Sequence, residues 1–198
     1  MRFQAMFAAL IAIVAFSFTT TKVVTYTADV SESTVEWKGE KVTGFHTGNL
    51  SLKSGAFEFS EGVLTGGNFT VDMTSLTVTD IEDPGTNGKL VGHLKSPDFF
   101  GVEAHPEASF VITKVVSRGK VGEYKLIGDI TVKGITKEIR FNANVTQEGT
   151  SANGTAEITL DRTDFDVRYG SGSFFDNLGD KTIYDEFTLT LNFKGVQA

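Results

Sequence analysis

The chain has 198 residues, with 25 acidic against 18 basic side chains, a formal charge of −7 and no cysteine. The absence of cysteine excludes thiol catalysis, thiolate metal centres and disulfide staples. The basic residues are scattered and form no stripe of the kind that holds nucleic acid or an anionic membrane surface, and the length suits one domain that buries its own core.

In chain order, residues 1–20 read as a secretory signal peptide. Arg2 supplies the positive start, Ala5 to Phe18 is an uncharged apolar run too short for a comfortable membrane span, and small residues follow. The expected mature domain, residues 21–198, keeps 17 basic against 25 acidic residues, a charge of −8. Its expected location is outside the cytoplasm, periplasmic or secreted.

From there the chain alternates. Val35 and Trp37 flank Glu36; Phe69, Val71 and Met73 are separated by Thr70 and Asp72; Leu126, Ile130 and Val132 share a phase with Gly128. Ile139, Phe141, Ala143 and Val145 alternate with Arg140, Asn142 and Asn144, and Leu189, Leu191 and Phe193 oppose Thr188, Thr190 and Asn192. A period of two puts each apolar set on one face of a strand. With no long helix to cover those faces, the sheet must cover itself, as a sandwich or a closed barrel. Ser60-Glu61-Gly62, Gly66-Gly67, Arg118-Gly119-Lys120, Lys133-Gly134, Glu148-Gly149 and Asn153-Gly154 read as turns between the runs. Turns at this spacing predict antiparallel, up-and-down pairing.

Two stretches break the pattern. Between Asp80 and Pro106, Asp83-Pro84-Gly85 and Asn87-Gly88 predict turns, Lys89 to Leu94 one or two helical turns, and Ser96 an N-cap ahead of Pro97 for a further turn through Phe99 and Phe100. Between Tyr169 and Asp180, Ser173 is placed to cap a short helix carrying Phe174, Phe175 and Leu178, with Gly179 ending it. Insertions of this length in a compact domain commonly lid an opening, and Asp80 to Gly101 is the expected mobile element.

Five blocks carry a family resemblance. They are Gly44-Phe45-His46-Thr47-Gly48; Gly66-Gly67-Asn68-Phe69-Thr70-Val71-Asp72; Gly92-His93-Leu94-Lys95-Ser96-Pro97-Asp98-Phe99-Phe100 with Pro106 and Phe110; Gly128 to Lys137; and Arg162-Thr163-Asp164-Phe165 with Arg168-Tyr169-Gly170. In this order they resemble the YceI-like family over nearly all of residues 21–198. The resemblance implies an all-β fold, an extended eight-stranded antiparallel lipocalin-like barrel with one or two short helical insertions. It also implies an exported, non-enzymatic protein that binds an isoprenoid lipid, a polyprenyl chain or a quinone tail, as carrier or sequestering agent, with no cofactor beyond that ligand. Transient contact with membrane redox proteins would follow from a quinone ligand. Asp166 departs from the glycine that many members carry there, which puts the surroundings of the head group in question.

The residues read as facing inward are Val35, Trp37, Leu50, Leu52, Phe57, Phe59, Phe69, Val71, Met73, Phe110, Ile112, Leu126, Ile130, Ile139, Phe141, Ile158, Leu160, Leu189 and Leu191. A small barrel either fills its interior with such side chains or leaves room for one ligand, and the 17 phenylalanines suit both. His93, Arg162, Asp164 and Arg168 are the polar candidates at the mouth, with Phe99 and Phe100 as gate or packing. Arg162 and Asp164 are equally well placed for a structural ion pair. Two other functional classes remain at this point. One is a structural β-domain with a filled core. The other is a metal enzyme using Glu103, His105 and Glu107, which alternate on one face if that segment is a strand, although Pro106 interrupts it.

Overall fold

A computed structural model describes residues 22–198; the leader falls outside the described residues. Nine strands are laid down in chain order: β1 (Val23–Ala28), β2 (Thr34–Lys41), β3 (Gly44–Ser60), β4 (Val63–Asp72), β5 (Glu107–Ser117), β6 (Glu123–Val132), β7 (Ile135–Glu148), β8 (Ser151–Asp161) and β9 (Ile183–Gln197). All ladders between them are antiparallel, and the sheet closes through the β3–β4 and β2–β9 pairs. The result is a closed barrel of eight staves. The ninth strand fits because one stave has two pieces: β2 pairs with the first half of β3 and with β9 up to Asn192, while β1 pairs with the second half of β3 and with residues 195–197 of β9.

Ser60↔Val63 and Val132↔Ile135 close tight hairpins through Glu61-Gly62 and Lys133-Gly134. All four turn residues have φ between 51° and 81°, as a type I′ turn requires. Two of the glycine pairs read as turns lie instead inside strands, Gly66-Gly67 in β4 and Asn153-Gly154 in β8. The reason is close packing. A Cβ on Gly154 would stand 2.7 Å from the Phe57 ring, and one on Gly67 would stand 2.6 Å from the Ala56 carbonyl and 3.2 Å from the same ring. Glycine makes room here for an aromatic side chain from β3, which adjoins β4 and faces β8 across the interior.

Both long connections, residues 73–106 and 162–182, leave from the same end of the barrel. Each starts with an aspartate whose carboxylate accepts the threonine N–H two residues on, Asp72 from Thr74 and Asp161 from Thr163, opening short 3₁₀ turns at Met73–Ser75 and Arg162–Phe165. Met73 therefore ends the alternation outside β4. In the first connection a 12-residue helix, α1 (Pro84–Lys95), is longer than expected and starts earlier. Asp83 is its N-cap, accepting from Thr86 N–H at 2.8 Å, and Pro84 occupies its first turn. Ser96 ends this helix, and the further turn expected from it forms through Phe99 and Phe100, the Phe99 and Gly101 N–H groups both donating to the Ser96 carbonyl. Gly85, Gly88 and Gly92 disfavour a helix by about 1 kcal/mol each. Packing of Leu90, Val91 and Leu94 against Leu76, Val78 and Trp37, and the Asn87 amide donating to the Val78 and Ile81 carbonyls, override that preference. In the second connection the helix expected after Ser173 does not form. Phe174 and Phe175 lie exposed in turns, and Gly179 begins a 3₁₀ turn, Gly179–Lys181. The Ser173 hydroxyl donates to Asp185 instead of capping.

Candidate functional site

The apolar phases of the staves enclose a cavity of about 330 Å³. Of the nineteen residues read as inward, Val35, Trp37, Leu50, Leu52, Phe57, Phe69, Val71, Met73, Phe110, Leu126, Ile130, Ile139, Phe141, Ile158, Leu160, Leu189 and Leu191 line it. Phe59 and Ile112 do not. They are buried in the core below the cavity with Tyr26, Leu64, Tyr124 and Ala152. The alternation assigns a face but cannot tell the open part of a bore from its plugged part. Val132, Ala143, Val145 and Phe193 share the inward phase and also line the cavity, so the pattern contained them. Leu90 and Leu94 of α1, and Tyr169, line it too and depend on chain paths that alternation does not encode.

The floor is aromatic. Phe57, Phe69 and Phe193 meet edge to face, with centroids 4.7 Å apart for Phe57–Phe193, 4.9 Å for Phe57–Phe69 and 5.8 Å for Phe69–Phe193. Tyr26 packs edge-on against Phe59 beneath them, and its hydroxyl donates to the Gly149 carbonyl.

The opposite end is built from the two connections. Residues 76–80 run beside β3 where β4 has turned away. Thr77 and Thr79 N–H donate to the Asn49 and Thr47 carbonyls, and the Trp37 indole N–H donates to the Thr77 carbonyl at 3.0 Å. Asp80 anchors the end of this run, accepting the Thr47 N–H and hydrogen-bonding His46 Nδ1 at 2.8 Å. Burial opposes the charge on Asp80. The Thr47 and His46 hydrogen bonds outweigh it and hold the carboxyl below its ordinary range. Lys133 Nζ donates to the Pro97 and Asp166 carbonyls and so ties both connections to the β6–β7 hairpin.

Arg162 lines the cavity end, but its chemistry is consumed within the protein. Nε donates to the Tyr184 carbonyl, Nη1 to the Val167 and Tyr169 carbonyls, and Nη2 to the Ile183 carbonyl and Asp185 Oδ1, at 2.8 to 3.1 Å. That is one acceptor for each of the five guanidinium N–H groups. The residue is 3% exposed, and burial pulls its pKa below the ordinary value while Asp185 and Asp161 oppose the shift. It clamps the start and finish of the second connection. The expected Arg162–Asp164 ion pair does not exist: Asp164 is exposed and pairs with Lys137, and Asp185 is the partner of Arg162. Arg168 also lies outside the cavity lining, bonded to Asp166 and stacked over Phe174.

Asp166 is explained by its backbone. It sits at φ 57°, ψ 32°, a left-handed conformation in which glycine or aspartate is the ordinary choice. It does not line the cavity, so its identity answers a turn and does not bear on the head group.

His93, Phe99 and Phe100 do line the cavity. The His93 ring stands edge-on to Tyr169 at 4.4 Å and to Phe99 at 5.3 Å. Its Nε2 is the one buried side-chain polar atom among the described residues with no hydrogen-bond partner.

The enzyme reading loses its geometry. Glu103 and His105 lie in the turn and coil before β5, while Glu107 begins β5 and pairs with Lys53, so the three share no strand face. Among the described residues no three His, Asp or Glu side chains are grouped to hold a metal ion.

A family model described as the YceI-like domain matches residues 26–195. A UPF0312 protein of Vibrio parahaemolyticus is 32% identical over 141 residues, covering 67% of this chain and 70% of that protein. A UPF0312 protein of Pectobacterium carotovorum is 28% identical over 126 residues, and the match spans 62% of its length. Among solved structures, BcnA of Burkholderia cenocepacia superposes with a TM-score of 0.65 at 20% identity, over 84% of this chain and 98% of that one. A polyisoprenoid binding domain from Saccharophagus degradans, described as implicated in plant cell wall breakdown, gives 0.63 at 13% identity, over 87% and 98%. At these identities the two structures establish the shared barrel.

Proposed function

This chain belongs to the YceI-like family, and on that premise we propose that it is an exported, non-enzymatic protein that carries or sequesters an isoprenoid lipid in its lumen. The observation that carries the reading is the apolar cavity of about 330 Å³ inside a closed barrel. A dry void destabilises a fold by about 24 cal/mol per Å³, or roughly 8 kcal/mol for this volume. A hydrocarbon tail returns about 0.8 kcal/mol for each methylene it buries. The balance therefore favours an occupied lumen. A structural domain with a filled core would leave no such space.

The polyisoprenoid binding domain of Saccharophagus degradans supports the choice of ligand class, since it shares this barrel. Export rests on the character of residues 1–20 and is tested by fractionating cells that express the full-length chain. The expected find is protein outside the cytoplasm and shortened by about the length of the leader.

Release of the cargo needs a movable element. The mouth end supplies one in α1, which carries three glycines and has Leu94 as its buried residue. The direct test of the ligand is organic extraction of natively purified protein followed by mass spectrometry. A prenyl lipid in the extract supports the reading; repeated clean extracts from folded protein overturn it.

A further inference from the structure

Resting on the lumen reading above, we infer that the bound lipid carries an uncharged, oxygen-bearing head group whose oxygen hydrogen-bonds His93 Nε2, and that this end of the cavity selects against charged heads. Two independent observations meet here. The first is His93 itself. Its ring lines the cavity and is held edge-on by Tyr169 and Phe99, and its Nε2 is buried with no partner in the protein. Buried polar atoms are nearly always hydrogen-bonded, so an orphan on a ligand cavity points to a partner that arrives with the ligand. An imidazole nitrogen, acting as donor or acceptor according to tautomer, suits a hydroxyl or a carbonyl equally.

The second observation is Arg162. The guanidinium nearest this chamber would ordinarily make it a phosphate or carboxylate site. Each of its five N–H groups already donates to the protein, four to main-chain carbonyls of the second connection and β9. An anion entering beside it gains no hydrogen bond from it and loses its own hydration. The rim lining carries Glu40 and Glu186 as well as Lys41, so its formal charge does not favour an anion either.

The test uses delipidated full-length mature protein and three probes sharing one tail: a C20 prenyl alcohol, its monophosphate, and the hydrocarbon lacking the oxygen. The alcohol is expected to bind about tenfold more tightly than the hydrocarbon, and the phosphate more weakly than the alcohol. His93→Phe keeps a planar ring between Tyr169 and Phe99. It should abolish the preference for alcohol over hydrocarbon while leaving hydrocarbon affinity within about twofold. His93→Gln, which restores a polar atom, should recover part of the preference.

Equal binding of alcohol and hydrocarbon by the unmutated protein overturns the inference, as does tightest binding of the phosphate. Equal loss of alcohol and hydrocarbon in His93→Phe also overturns it, because His93 would then be only a packing residue. If none of the three probes binds the unmutated protein, the lumen reading itself fails, a result distinct from the others.

Discussion

The two ends of the barrel are closed by different means. At the floor, side chains from across the barrel interlock: Phe57, Phe69 and Phe193 meet ring to ring, and glycines on β4 and β8 leave the space that Phe57 needs. At the mouth, chain segments from two connections lie across the opening. They are held by a small apolar cluster around Leu76, Val78, Leu94, Phe99 and Val167 and by polar fixtures, chiefly Arg162, Lys133 and the Asp80–His46 pair. Side chains that interdigitate within the barrel can yield only by unfolding the wall. Segments laid across the opening can lift while the wall stays intact. The same period-two pattern therefore produces a solid base and a hollow above it.

The sharpest way to break this contrast is to remove a fixture and a floor ring in separate variants. Arg162→Leu leaves four carbonyls and Asp185 without their donor in a buried setting. It is expected to cost about 3–5 kcal/mol in urea unfolding at neutral pH, with Arg162→Lys recovering only a fraction, since a lysine lacks the fork that reaches all five acceptors. Phe57→Ala should cost about 3–5 kcal/mol as well, yet deepen the lumen, so the protein should take up prenyl chains longer than those held by the unmutated form, read by mass spectrometry.

Gly154→Ala places a methyl against the Phe57 ring and should cost about 1–3 kcal/mol. In the Phe57→Ala background the penalty should largely vanish, a coupling that would show the two positions act as one contact.

Native-state hydrogen exchange sharpens the other half of the comparison. Amides of α1 are expected to exchange markedly faster than those of β8 and β9; equal protection would remove α1 as the moving part.

The smallest effect is electrostatic. Because the Asp80 carboxyl is held below its ordinary range in the folded protein, its contribution is present above about pH 4 and fades as pH falls through the lower folded value. Asp80→Asn should lower stability by about half a kcal/mol at pH 7, and the difference should shrink in acid.

Much of this was legible in the chain. The alternation assigns an inward face, and the two breaks in it mark the two connections. What escaped the pattern has physical reasons. Gly66-Gly67 and Asn153-Gly154 look like turns because a glycine that relieves a neighbouring ring is indistinguishable, in sequence, from one that permits positive φ. The length of α1 escaped because three glycines disguise a helix that tertiary contacts and the Asp83 cap sustain. Arg162 was identifiable as important, but its partners are carbonyls of residues 167, 169, 183 and 184, and no side-chain pattern announces a main-chain acceptor. Asp164 and Arg168 are candidates by charge and by their place near the expected mouth, and each is taken up on the surface by another partner, Lys137 and Asp166.

The divided stave has a consequence in time. β9, whose residues are made after all the other strands, borders β8 on one side and both β1 and β2 on the other. Without it the barrel has no closed interior. Circularisation joins the earliest and latest segments, a high-contact-order step that is expected to be slow. Whatever the interior comes to hold must be acquired after synthesis is complete.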